Sequence, residues 1–199
     1  MPSIDIKEFI ALVAGFLIIV NHLNYIRTIL AHRTKPHFFS WLIWTITQCT
    51  AATAVIVGGG GIAGFAIFMA ATLVCSIALL SLKYGTKNIR KRDGLMFITA
   101  LIAIFVWWQL DHPFLAIILI SIVDIIGYIL TLLKINHDHH SEPLTYWSFD
   151  LLTYVLLVTA LAEYNFLAFS PTVVFFIFRL CLTSLVKKNN RSIIVAGPY

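Results

Sequence analysis

The chain is short of charge. Only 12% of its 199 residues are Asp, Glu, Lys or Arg, where soluble domains carry about a quarter. With 60% hydrophobic residues and a mean hydropathy of +0.91, a fully water-facing surface is excluded, and lipid is the expected solvent. Cysteine is also scarce. Cys49, Cys75 and Cys181 fall inside apolar runs without CxxC spacing, which argues against a disulfide framework or a zinc site and for small packing residues.

Other absences narrow the class further. The leading segment carries Asp5 and Glu8 against Lys7, whereas a signal peptide wants a positive start, so the first apolar run reads as a retained span. Gly58 to Gly61 lack the Lys-Ser/Thr that follows a phosphate loop. The last apolar run has Arg179 but no lysine for a retinal Schiff base. The apolar runs contain no nucleophile–base–orienter set, so the chain does not read as an enzyme, and nothing implies a cofactor.

What is present is a series of seven apolar runs near the length of about 20 residues that an α-helical span requires. They cover Glu8–Leu30, Pro36–Val57, Ile62–Tyr84, Gly94–Leu110, Pro113–Ile135, Thr145–Tyr164 and Pro171–Val186. The strands of a β-barrel would be shorter and alternating. Pro36, Pro113, Pro143 and Pro171 stand at or just before run starts, where a missing N–H costs least.

The expected fold is therefore an all-α integral membrane bundle of seven transmembrane helices. Twelve of the 14 Lys and Arg lie in the loops after runs one, three and five or in the tail; Lys7 alone lies opposite, and Arg179 is inside run seven. Cytoplasmic loops are the basic ones, so the N-terminus is expected outside and the C-terminus in the cytoplasm. The basic residues thus speak for orientation and not for nucleic acid. Trp41 and Trp147 near cytoplasmic ends, with Trp107 and Trp108 near an outer end, are expected to form aromatic belts.

The chain also repeats itself. Ile19–Leu30 and Ile122–Leu133 align without gaps and match at six of twelve positions, including Tyr25/Tyr128 and Thr28/Thr131, with Asn21 opposite Asp124. Lys35-Pro36 leads to Trp41 as Glu142-Pro143 leads to Trp147, and Cys75 then meets Cys181. The expectation is 3+1+3: two parallel three-helix repeats joined by a linker helix, related by an axis along the membrane normal. The units are residues 1–92, a linker at 93–112, a second repeat at 113–188 and a cytoplasmic tail at 189–199.

In this layout the sequence resembles the SWEET/PQ-loop superfamily of small membrane transporters. The stretch Lys35-Pro36-His37-Phe38-Phe39-Ser40-Trp41-Leu42-Ile43-Trp44, and Asp124, Tyr128, Thr131, Lys134 and Glu142 further on, look like those of uncharacterised bacterial seven-span relatives of that superfamily. The resemblance implies a bacterial inner-membrane protein that moves a small solute. The Pro-Gln pair that names the superfamily is missing, and spans one and five have no interior proline, which leaves Gly15 and Gly127 either as flexible points or as sites of close helix packing.

Ionisable residues inside a membrane are costly and mark function by default. Asp124 and Arg179 are expected near mid-membrane, with Asp150 about one turn further toward the cytoplasm, as a buried ion pair or triad, as a charged cavity wall, or with Asp124 as a coupling site. Asn21 and Asn24 are expected to share a face of span one, with His22 pointing elsewhere. Trp44 and Gln48 share a face of span two. Together with Tyr128, Asp150 and Tyr154 they suggest a site in which an aromatic plane stacks on a sugar- or nucleoside-like solute and amides take its hydroxyls. His137-Asp138-His139-His140 reads as a solvated loop rather than a metal site, and Lys87 to Arg92 as a topology signal that also suits anionic lipid. The reading is a transporter or facilitator of a small polar solute, with a non-transporting scaffold or assembly factor as the alternative. One chain with two repeats suffices for a pore; a homo-oligomer stays open.

Overall fold

The structure, a computed structural model, describes residues 6–57, 61–109, 113–159 and 176–189. The glycine break at Gly58 to Gly60, the Asp111-His112 break, Pro171 and the tail from residue 190 fall outside the described residues, as do the side chains of Trp107 and Trp108.

Seven helices, and no strand, make up the described residues. They are α1 (Ile6–Leu30), α2 (Phe38–Val57), α3 (Gly61–Tyr84), α4 (Lys91–Trp108), α5 (Pro113–His137), α6 (Leu144–Thr159) and α7 (176–189). Each corresponds to one apolar run. Two are long and apolar enough to cross a membrane over described residues, Leu12–Leu30 in α1 and Ile118–His137 in α5, and Phe68–Tyr84 in α3 is a shorter apolar stretch.

Local chemistry sets several ends. α1 closes in a Schellman turn: His32 N–H donates to the Ile29 carbonyl at 2.9 Å and Arg33 N–H to the Thr28 carbonyl at 2.9 Å. The residue between helix and loop, His32, takes a left-handed φ of 58°, where glycine is usual. α4 opens with a carboxylate reaching back, Asp93 Oδ2 accepting from Arg90 N–H at 2.8 Å, which occupies an N–H the helix leaves unpaired. Gly85 ends α3 because nothing larger fits. A Cβ there would stand 2.2 Å from the Ser81 carbonyl oxygen and 2.7 Å from that of Pro36.

α3 packs against α1 and α2, α6 against α1, and α5 against α2 and α4. α7 lies on α5 and α6: Phe178 stacks on Tyr128 with ring centroids 5.7 Å apart, and Thr183 Oγ1 donates to the Trp147 carbonyl at 3.1 Å. The bundle has apolar outer faces as well as an apolar core, and buries several polar side chains. Ile6, Phe9, Leu12 and Phe16 of α1, and Leu95, Ile98, Ile102 and Phe105 of α4, all face outward, while Asn21, His22, Thr47 and Thr131 are buried.

Two expectations about packing need correction. Trp41 and Trp147 are not belt residues; they are 1% and 2% exposed and sit in the core with Tyr25, Ile29 and Tyr146. Inside the bundle Trp147 finds an acceptor for its indole N–H in Glu142 at 3.1 Å, and Trp41 packs on Tyr25, Trp44 and Tyr146. Gly15 is not a close-packing site, since a Cβ there would meet nothing within 4 Å. The three cysteines are free, Cys49 and Cys75 half-buried and Cys181 exposed.

Candidate functional site

A cavity of about 280 Å³ lies where six helices meet. α1 gives it Ile18 and His22; α2 gives Trp41, Trp44, Thr47 and Gln48; α3 gives Ala70 and Val74; α5 gives Asp124 and Tyr128. Tyr146, Trp147, Asp150, Thr153 and Tyr154 come from α6, and Arg179 from α7. The spacing explains the convergence. Residues three, four and seven apart share one face of a helix, so 41, 44 and 48 line up on α2, 124 and 128 on α5, and 147, 150 and 154 on α6.

The charged groups are held in place by neighbours. Arg179 Nε lies 2.7 Å from Asp150 Oδ2. Its guanidinium sits over the Tyr154 ring at 4.2 Å and near the Tyr128 ring at 5.4 Å, an arrangement made more often by Arg than by Lys. Asp124 does not join them as a triad. Its Oδ1 accepts from Thr47 Oγ1 at 2.7 Å, tying α5 to α2, and it forms no ion pair among the described residues.

The aromatic side of the cavity is continuous. Trp44 packs on Trp41 at 5.2 Å, on Tyr128 at 5.1 Å and on Trp147 at 6.3 Å between centroids. Behind Trp41, Tyr146 and Trp147 lies a second layer around Glu142. Its carboxylate accepts from Tyr25 Oη at 2.9 and 2.8 Å and from Trp147 Nε1 at 3.1 Å, and it pairs with Lys134. Lys134 Nζ donates in turn to the Lys35 carbonyl at 3.0 Å. Glu142 and Lys134 are both buried, so the basic end of the bundle is knotted just beneath the cavity.

Of the residues singled out in the sequence, Trp44, Gln48, Asp124, Tyr128, Asp150, Tyr154 and Arg179 are brought together on this wall. The two asparagines of span one are not. Asn24 is exposed and accepts from Arg27 Nη1 at 3.3 Å. Asn21 is buried but spends its amide on the Tyr146 carbonyl at 3.0 Å. The buried face of α1 runs through Ala14, Asn21, His22, Tyr25 and Ile29, so the i,i+3 pairing of Asn21 with Asn24 picks the wrong side.

His22, expected to point away, is on the cavity wall. The Ile18 carbonyl, which only accepts, lies 2.8 Å from His22 Nδ1, so that nitrogen carries the hydrogen. Nε2 lies 3.4 Å from Tyr146 Oη. Thr47, Thr153 and Tyr146 also went unremarked. Their signal was available in register, since each lies within a turn of a flagged residue on the same helix.

Among the described residues, no group of three or more His, Cys, Asp or Glu side chains is placed to hold a metal ion. No protein-family model, curated protein or solved structure matches this chain.

Proposed function

We infer that the chain is an integral membrane protein of seven spans in a 3+1+3 arrangement, and that its central cavity carries a small polar solute, sugar- or nucleoside-like, across the membrane. The observation that carries this reading is an aromatic-walled cavity bearing Asp124, Asp150 and Arg179 at the centre of a bundle whose outer faces are apolar. Lipid accounts for the outside. Charge buried at such depth is retained where it serves a path or a site.

The cavity walls support the two-repeat layout. Trp41, Trp44, Thr47 and Gln48 of α2 face Trp147, Asp150, Thr153 and Tyr154 of α6, and the four pairs stand at one constant offset in the sequence. Thr47 and Thr153 are even oriented alike, their hydroxyl oxygens 3.2 and 2.9 Å from the carbonyl three residues back, though the Thr47 hydrogen is given to Asp124. α1 packs on α6 while α5 packs on α2, the exchange expected of a twofold axis that carries α1 to α5 and α2 to α6. This is the geometry that the resemblance to the SWEET/PQ-loop superfamily implies. With 12 basic residues toward one side, the N-terminus lies outside and the C-terminus in the cytoplasm, in a bacterial inner membrane.

The volume suits a small ligand, lying near the lower end of the roughly 300–1,000 Å³ of small-molecule sites. Trp44 and Tyr128 supply the stacking face. Gln48, Asp124, Asp150 and Tyr154 supply acceptors and donors for hydroxyl groups.

Thermal unfolding of the detergent-purified protein against sugars, nucleosides, amino acids and vitamins tests the reading. A ligand at a hundred times its Kd stabilises the folded state by about 2.7 kcal/mol. A saturable shift with one polar class, lost in Gln48→Ala and kept in Asn24→Ala, followed by uptake of that solute into vesicles, is the expected result. A flat panel together with a co-purifying partner protein would instead establish a scaffold.

A further inference from the structure

A second, larger pocket of about 800 Å³ opens at the basic end of the bundle, apart from the central cavity. Three chain segments build it: the α1–α2 turn, the end of α3 with the loop after it, and the end of α5 with its loop. Backbone bonds tie these segments to each other. Thr86 N–H donates to the Pro36 carbonyl at 3.1 Å, and Lys35 N–H to the Ser141 carbonyl at 3.0 Å. The backbone that frames the pocket is therefore held together, while the lysine and histidine side chains on its walls are exposed.

Its lining is one-sided in charge. Lys35, Lys83 and Lys87 contribute three cations, with His32, His139 and His140 beside them. Asp138 is the one carboxylate in the lining, and it already pairs with Lys35 at 3.4 Å. The other carboxylates of this end are engaged elsewhere, Glu142 with Lys134 and Asp93 at the start of α4. Lys87 Nζ leans on the final carbonyls of α3, 3.3 Å from Leu82 O. Lys83 lies over the Tyr84 ring at 5.2 Å and forms no ion pair among the described residues. One wall residue, His32, is the left-handed residue that closes α1.

A concave site with surplus ammonium groups and imidazoles matches a compact, multiply charged oxyanion. We propose that this pocket binds a phosphate-bearing anion, either the headgroup of an anionic phospholipid or a free phosphorylated solute. The inference stands apart from solute transport through the central cavity, because the two sites share no lining residue.

The test is thermal unfolding of the full chain in a neutral detergent at constant ionic strength, titrated with inorganic pyrophosphate, dioctanoyl phosphatidylglycerol or dioctanoyl phosphatidylcholine. A saturable rise in Tm with pyrophosphate assigns the pocket to free phosphate groups. A rise with phosphatidylglycerol alone assigns it to lipid. In either case Lys83→Gln should weaken binding about tenfold, the size of one charge-assisted hydrogen bond, and Lys83→Arg should keep it. Lys83 is exposed at the end of α3, so these variants should fold. Lys188→Gln, an exposed lysine on α7 outside the pocket, removes the same charge and should change nothing. No shift with either anion, an equal shift with phosphatidylcholine, or equal losses in Lys83→Gln and Lys188→Gln would overturn the proposal.

Discussion

The indole of Trp44 occupies the space that a side chain at residue 127 would need. A Cβ built on Gly127 would stand 2.7 Å from Trp44 Nε1 and 3.0 Å from Cε2. Gly127 is thus a packing glycine between α2 and α5, and it sets how far Trp44 enters the cavity. Gly127→Ala should cost about 1–3 kcal/mol by overpacking, seen as a lower Tm. The cost should shrink in Trp44→Phe, whose smaller ring frees the contact. Equal costs in both backgrounds would mean that the clash is relieved elsewhere.

Asp150 and Arg179 form the second test of the central site. Both are less than one-fifth exposed, so removing one partner leaves the other desolvated and alone. Breaking a buried pair costs about 3–5 kcal/mol. Asp150→Asn should approach that loss, and the double variant Asp150→Asn, Arg179→Gln should recover much of it. A double-mutant cycle in chemical unfolding gives the coupling directly; additive losses would show that the ion pair contributes little and that the guanidinium is held by Tyr154 and Tyr128 instead.

Two carboxylates only four residues apart should behave very differently. Asp138 pairs with Lys35 at the surface, where the side chains are 32% and 57% exposed, and such pairs are worth about 0–1 kcal/mol. Glu142 is buried with Lys134, Tyr25 and Trp147 around it. Asp138→Asn should leave Tm nearly unchanged in any salt. Glu142→Gln should lower it severely, because Lys134 keeps a buried charge without a counter-charge. Lys134→Met beside Glu142→Gln should restore part of the loss. If the two single variants unfold alike, the knot at the basic end is not holding the bundle.

The seven helices were legible because apolar runs of span length, punctuated by Pro, Gly and basic clusters, leave little choice of element. The cavity was legible in part for a related reason: in an apolar chain a polar residue such as Asp124, Asp150 or Arg179 has few places to go but inward. Span one shows where this reasoning fails. Asn21, His22 and Asn24 are polar neighbours within one turn, and composition does not say which of them is buried. The neighbours decide it, since Tyr146 of α6 offers a carbonyl to Asn21 and a hydroxyl to His22 while Asn24 meets only Arg27 of its own helix. The inward turn of Trp41 and Trp147 was likewise hidden, because a tryptophan near a span end reads the same whether it faces lipid or the Glu142 knot.

His32 offers the last prediction, and it separates stability from function at one residue. Its φ of 58° closes the Schellman turn of α1, a position where a Cβ costs about 1–2 kcal/mol and glycine costs nothing of the kind. The ring is exposed and meets Tyr84 edge-on at 5.3 Å, too little contact to offset that strain in full. His32→Gly should therefore raise stability, by about 0.5–1 kcal/mol after the greater freedom of glycine in the unfolded chain is deducted. His32→Ala keeps the strain, loses the ring and should lower it. With pyrophosphate or phosphatidylglycerol present the order should change: wild type gains from the ligand, while both variants gain less for want of the imidazole on the pocket wall. Unfolding of the three proteins with and without the anion reads all of this at once. A glycine variant that is both more stable alone and equally stabilised by the anion would show that His32 serves the turn and nothing else.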